Sequence, residues 1–126
     1  MTGKLDKALA LSATETELLR DLRSRLGRPH NDKAAAVLLN ALFQAAARVD
    51  IAPPPGQPLL AADDFKAAVA GADMATLRAA VATLRDIHGK GPAHALKALA
   101  DGLPQAVISR RLALAGREPA LDNGML

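Results

Sequence analysis

Residues 32–48, Asp-Lys-Ala-Ala-Ala-Val-Leu-Leu-Asn-Ala-Leu-Phe-Gln-Ala-Ala-Ala-Arg, constrain the fold more than any other stretch. Asn31 or Asp32 can cap a helix that runs to about Arg48. Val37, Leu38, Leu39, Leu42 and Phe43, with alanines between them, leave that helix apolar almost all round. A surface helix shows one apolar stripe and one polar face, so this one must be covered on several sides. Its cover is either the rest of the chain or a second copy. A homodimer is expected, with Leu18, Leu22, Leu38, Leu42 and Phe43 at its interface.

The neighbouring segments are helical too. Ser12-Ala-Thr-Glu15 is a capping box, in which the Ser hydroxyl and Glu carboxylate satisfy each other's orphan N–H groups. It predicts a helix to Leu26, stopped at Gly27, with Leu18, Leu19, Leu22 and Leu26 on one stripe. Arg20, Arg23, Arg25 and Arg28 crowd its second half, where cations complement the helix dipole. Before it, Leu5–Leu11 alternate loosely, which fits a short strand, a frayed helix or a disordered arm.

Four prolines in Ala52–Pro58 break helix and favour an extended connector. The chain therefore reads as a helical dimerisation half at 1–50, a proline-rich linker at 51–60 and a second helical half at 61–126. The second half begins with a helix near 61–70, with Asp63 and Asp64 in its first turn. A helix from Asp73 to His88 follows, with Met74, Leu77, Val81, Leu84 and His88 on a buried seam. Helices near 93–101 and 104–115 and a loose tail from Arg117 complete it. The fold class is all-α, with one short N-terminal strand as an open addition.

Composition supports this and removes several functions. Half the residues are hydrophobic, yet only Phe43 and Phe65 are aromatic, so platforms that stack single-stranded bases on aromatic rings are disfavoured. The absence of cysteine excludes disulfides, thiolate metal sites and cysteine nucleophiles. No apolar run reaches the roughly 18 residues of a membrane span, and no secretory core is visible at the N-terminus. A cytoplasmic, bacterial protein is expected, with no membrane partner. The net charge of +3 permits nucleic-acid binding without demanding it.

Catalysis has little support. His30, His88 and His94 lack the spacing of a zinc site, and Ser12, Ser24 and Ser109 lack a nucleophile elbow. Gly89-Lys90-Gly91 is too short to cradle phosphate. The chain reads as a non-enzyme without metal or cofactor.

Two stretches carry a resemblance. Ala98, Gly102, Leu103 and Ile108 lie where a helix corner needs a small residue, a left-handed turn and two apolar locks. Residues 93–116 thereby resemble the helix-turn-helix of bacterial repressors and plasmid-encoded regulators. That resemblance implies base contacts from Gln105, Ala106, Ser109 and Arg110, and phosphate contacts from Lys97, Arg111 and Arg117. Arg111 departs from the pattern, because such families bury an apolar residue at its position. The order of strand (Leu5–Leu11), capped helix (Ser12 to Leu26-Gly27-Arg28) and second capped helix resembles ribbon-helix-helix repressors. There the outward strand residues would be Asp6, Ala8 and Ala10, or Lys4 and Lys7 in the other register. Alanine cannot read a base, and aspartate repels phosphate.

The expectation is a small dimeric DNA-binding regulator that reads the major groove of double-stranded DNA with helix 104–115. The alternative is a non-catalytic helical module, such as an antitoxin, anti-activator or secretion chaperone, that holds a protein partner.

Overall fold

Side-chain caps set where most helices begin. Ser12 Oγ accepts from the Glu15 N–H at 3.0 Å while Glu15 Oε1 accepts from the Ser12 N–H at 3.0 Å, and α1 (Ala13–Leu26) starts there. Asn31 Oδ1 accepts from the Ala34 N–H at 2.8 Å and opens α2 (Asp32–Arg48). Asp64 caps α3 (Phe65–Ala70), and Asp73 caps α4 (Met74–Gly89). Proline just inside the start serves α5 (Pro92–Ala100) and α6 (Leu103–Leu114), where a missing N–H costs nothing. The structure, a computed structural model, describes residues 9–28 and 30–118. Among them every element is helical, and no helix is long and apolar enough to cross a membrane.

The strand expected over Leu5–Leu11 falls mainly outside the described residues. Leu9–Leu11 are not strand, and Leu11 is buried in the core. The expected tail divides likewise: Arg117 and Glu118 dock on α1, and the remainder lies outside the described residues.

Coverage of α2 comes from its own chain. It packs against α1, α4 and most extensively α5, burying Ala35, Leu39, Leu42, Phe43, Ala45 and Ala46. On the other side of the molecule, α6 packs against α1, α3, α4 and α5. One continuous core therefore draws side chains from both sides of the proline segment, from Leu19, Leu22 and Leu26 to Leu77, Leu84, Ile108 and Leu112. The expected halves at 1–50 and 61–126 share this one core. Residues at both ends of the proline segment are tied in: Ile51 is buried, and the Leu60 N–H donates to Thr83 Oγ1 at 2.8 Å.

The dimer interface needs the same correction. Leu22, Leu42 and Phe43 are buried within one chain, and Leu18 and Leu38 are partly buried against the same core. An all-round apolar helix needs neighbours, and three helices of the same chain supply them. Val37, assigned to the apolar set from sequence, is instead 69% exposed.

The end of α2 carries an unusual residue. The Ile51 N–H reaches back to the Ala46 carbonyl at 3.0 Å, a Schellman closure that leaves Asp50 at φ +66°. The matching closure after α6, from the Arg117 N–H to the Leu112 carbonyl at 2.9 Å, places Gly116 at φ +72°. Only glycine takes that conformation without cost.

Two outcomes follow for stability. Leu42→Asp abolishes helical circular dichroism at every protein concentration, instead of yielding a folded monomer. Asp50→Gly and Asp50→Ala both remove the carboxylate, so their difference isolates the backbone: in urea titrations the glycine variant is more stable by about 1 kcal/mol.

Candidate nucleic-acid interface

A helix that reads DNA must offer a free face, and α6 has none. Every one of its residues is buried or half-buried. The residues assigned to base reading are bonded within the chain. Gln105 Nε2 donates to the carbonyls of Leu26 and Leu99, both at 3.1 Å, closing the C-terminal ends of α1 and α5. Ser109 Oγ accepts from Arg23 Nη1 at 3.0 Å. Arg110 Nε donates to the Ala72 carbonyl at 2.7 Å, just beyond α3, and Ala106 is half-buried.

The residues assigned to phosphate fare similarly. Arg111 is 1% exposed; its Nε donates to the Val49 carbonyl and its Nη1 to the Leu9 carbonyl, each at 2.8 Å. Burial pulls its guanidinium below the usual arginine range, opposed by the charges of Asp50 and Glu15. It occupies the apolar position of the corner because carbonyl acceptors, not water, meet it there. Arg117 Nη2 donates to the Leu11 carbonyl, and exposed Lys97 pairs with Asp101 at 3.0 Å. The corner exists as the sequence indicates, with Gly102 at φ +78°, but its second helix faces inward. Gln105, Ser109, Arg110 and Arg111 each make hydrogen bonds within the chain.

The open helix face lies on α2. Beyond the first residue, Asp32, its fully exposed positions are Lys33, Val37, Asn40, Gln44, Ala47 and Arg48. At 100° per residue these fall within an arc of about 100°, forming one stripe along the whole helix. No carboxylate interrupts the stripe; Asp32 and Asp50 flank its two ends. Phe43 borders it on the Ala47 side, and the Arg85 guanidinium of α4 lies 5.8 Å from the Phe43 ring centroid. Two turns earlier on the same line of α4, Arg78 Nε donates to the Asp50 carbonyl at 3.0 Å. Two guanidiniums thus stand beside the C-terminal half of the stripe. The spacing was present in the sequence; counting Val37 as core concealed it.

Elsewhere, a cleft of about 530 Å³ lies among the ends of α1 and α5 and the start of α6. Leu26, Leu96 and Leu99 line it together with Arg28, His30 and Gln105, whose buried Oε1 has no hydrogen-bond partner among the described residues. Among the described residues, no group of His, Asp or Glu is gathered to hold a metal. His88 packs edge-on to Phe43 with centroids 5.5 Å apart, His30 Nε2 meets the Arg25 carbonyl at 2.6 Å, and His94 is exposed.

Comparison with protein-family models, with curated proteins and with solved structures finds no match.

The bonds made by α6 predict stability effects. Gln105→Glu replaces an amide donor with a carboxylate facing two carbonyls and lowers stability by about 2 kcal/mol or more. Gln105→Ala, which leaves those carbonyls unbonded, costs less; urea titrations of both variants check the order.

Glu118 supplies the pH dependence. Its carboxylate accepts from Arg23 Nη1 and Nη2 at 2.6 and 2.7 Å and from Arg20 Nε at 3.2 Å. The Arg23 hydrogen bonds hold it below the usual carboxylate range, against a smaller opposing effect of burial. Because the folded value is the lower one, this clasp is complete above the ordinary glutamate value of about 4.3. Its contribution is lost as pH falls through the depressed value. The melting-temperature gap between wild type and Glu118→Gln is therefore widest near neutral pH and shrinks below about pH 4.

Proposed function

We propose that this chain is a non-catalytic regulator that binds double-stranded DNA through the outer stripe of α2. The observation that carries the reading is the stripe itself: five uncommitted side chains, Lys33, Val37, Asn40, Gln44 and Arg48, on one exposed line of a 17-residue helix. Lys33 and Arg48 stand near opposite ends, where phosphates on either side of a groove would lie. The amides between them carry the donor and acceptor pairs that base edges accept. Arg78 and Arg85 add positive charge along one flank. A major groove about 12 Å wide admits a helix of this diameter.

With few cations and no aromatic stacking platform, affinity rests on phosphate contacts and falls with salt. A gel-shift titration of a mixed-sequence duplex at 50 and 200 mM salt tests this. Retention at low salt and marked loss at high salt are expected. Lys33→Ala/Arg48→Ala should weaken binding about ten-fold or more and flatten the salt dependence by roughly two phosphate equivalents. Lys90→Ala/Lys97→Ala, on α5 and the end of α4, should leave binding close to wild type. Absence of retention at 50 mM, or an equal loss in both double variants, overturns the proposal.

A second reading, a protein-binding module, is favoured by the cleft at the ends of α1 and α5. Its apolar floor of Leu26, Leu96 and Leu99 beside Arg28 suits an acidic amphipathic segment. A stoichiometric protein partner released by Leu96→Asp, with no duplex retention, selects that reading over the first.

A further inference from the structure

Among the exposed residues of α2, the three in the middle of the stripe are uncharged. Val37 and Gln44, with Asn40 between them, lie seven steps apart, about 10 Å of helix rise, or roughly three base-pair steps. Their chemistry is specific. Asparagine and glutamine carboxamides match the N6 donor and N7 acceptor of adenine in the major groove, whereas guanine offers two acceptors there and favours arginine or lysine. No cation stands between Lys33 and Arg48 on this line to take a guanine. Val37 adds an apolar contact, and the apolar feature of a base edge in that groove is the thymine methyl. At 69% exposure, most of its side chain is left uncovered by the described residues and stands available for that contact. Of the large hydrophobic residues that stand exposed among the described residues, the other is Leu59, in the proline-rich connection.

We infer that α2 selects A·T base pairs, with Asn40 and Gln44 each holding an adenine and Val37 meeting a thymine methyl. Lys33 and Arg48 fix the helix in the groove and carry no sequence information. This rests on the duplex-binding reading above and adds the base class to it. Asp32 and Asp50, at the two ends, limit the phosphate contacts to those the neighbouring cations can make.

The experiment uses the full chain and three duplexes of equal length: one with a central A·T block, one with a central G·C block, and the first with uracil for thymine. Wild type is expected to hold the A·T duplex about ten-fold or more tighter than the G·C duplex, and tighter than the uracil duplex. Val37→Asn should bind thymine and uracil duplexes equally. Asn40→Ala/Gln44→Ala should abolish the A·T preference while keeping salt-sensitive retention of all three. These positions are exposed, so circular dichroism should show unchanged helix content. A preference for A·T that survives Asn40→Ala/Gln44→Ala would come from duplex shape and overturn the inference. Equal, salt-sensitive binding of all duplexes by wild type overturns the base assignment and leaves duplex binding standing. No retention of any duplex at low salt overturns both.

Discussion

Every α-helix leaves carbonyl groups unbonded at its C-terminal end, and a bundle of short helices has many such ends. In this chain α6 answers several of them with side chains. Gln105 bonds the last turns of α1 and α5, Arg110 the chain just after α3, and Arg111 the end of α2. Cations at helix C-termini also meet the negative end of the dipole. These bonds lie in or beside the core, where an unpaired carbonyl costs about 1–3 kcal/mol. The helix order around α6 depends on them, since each bond fixes where another helix stops relative to it.

That arrangement explains how the sequence misleads. Gln105, Ser109 and Arg110 have the donor groups and helical spacing of a base-reading face. A buried helix end and a base edge are both rows of acceptors, so the same residue types serve either. Arg111 was the distinguishing signal: an arginine at an apolar position of the corner fits a core supplied with carbonyls better than a surface turned to DNA. Local features were legible. Ser12 with Glu15, Asn31 and Asp73 mark three helix starts because their capping chemistry acts within four residues. Tertiary direction was not legible, because Ala- and Leu-rich helices present similar faces to any neighbour. The proline segment looked like a boundary for the same reason: local stiffness is visible in sequence, whereas burial of Ile51 and the bond from Leu60 to Thr83 are not.

The division of labour between α2 and α6 follows from their surroundings. Both helices touch α1, α4 and α5, but α3 closes a further side of α6, and among the described residues the outer side of α2 stays exposed. Polar residues on α6 are therefore committed to holding the fold, and their replacement acts on stability. Polar residues on the α2 stripe hold nothing among the described residues, so their replacement acts on whatever that face meets. Val37 gives the centre of this stripe an apolar contact point between its polar neighbours. Its neighbours at one and two turns, Asn40 and Gln44, make no intramolecular bond that would account for their amides. A solvated helix face in a chain carrying 13 acidic residues would ordinarily include some of them. From Lys33 to Arg48, α2 itself contains none, so a polyanion lying along the stripe meets no carboxylate of that helix beyond Asp32 at its start.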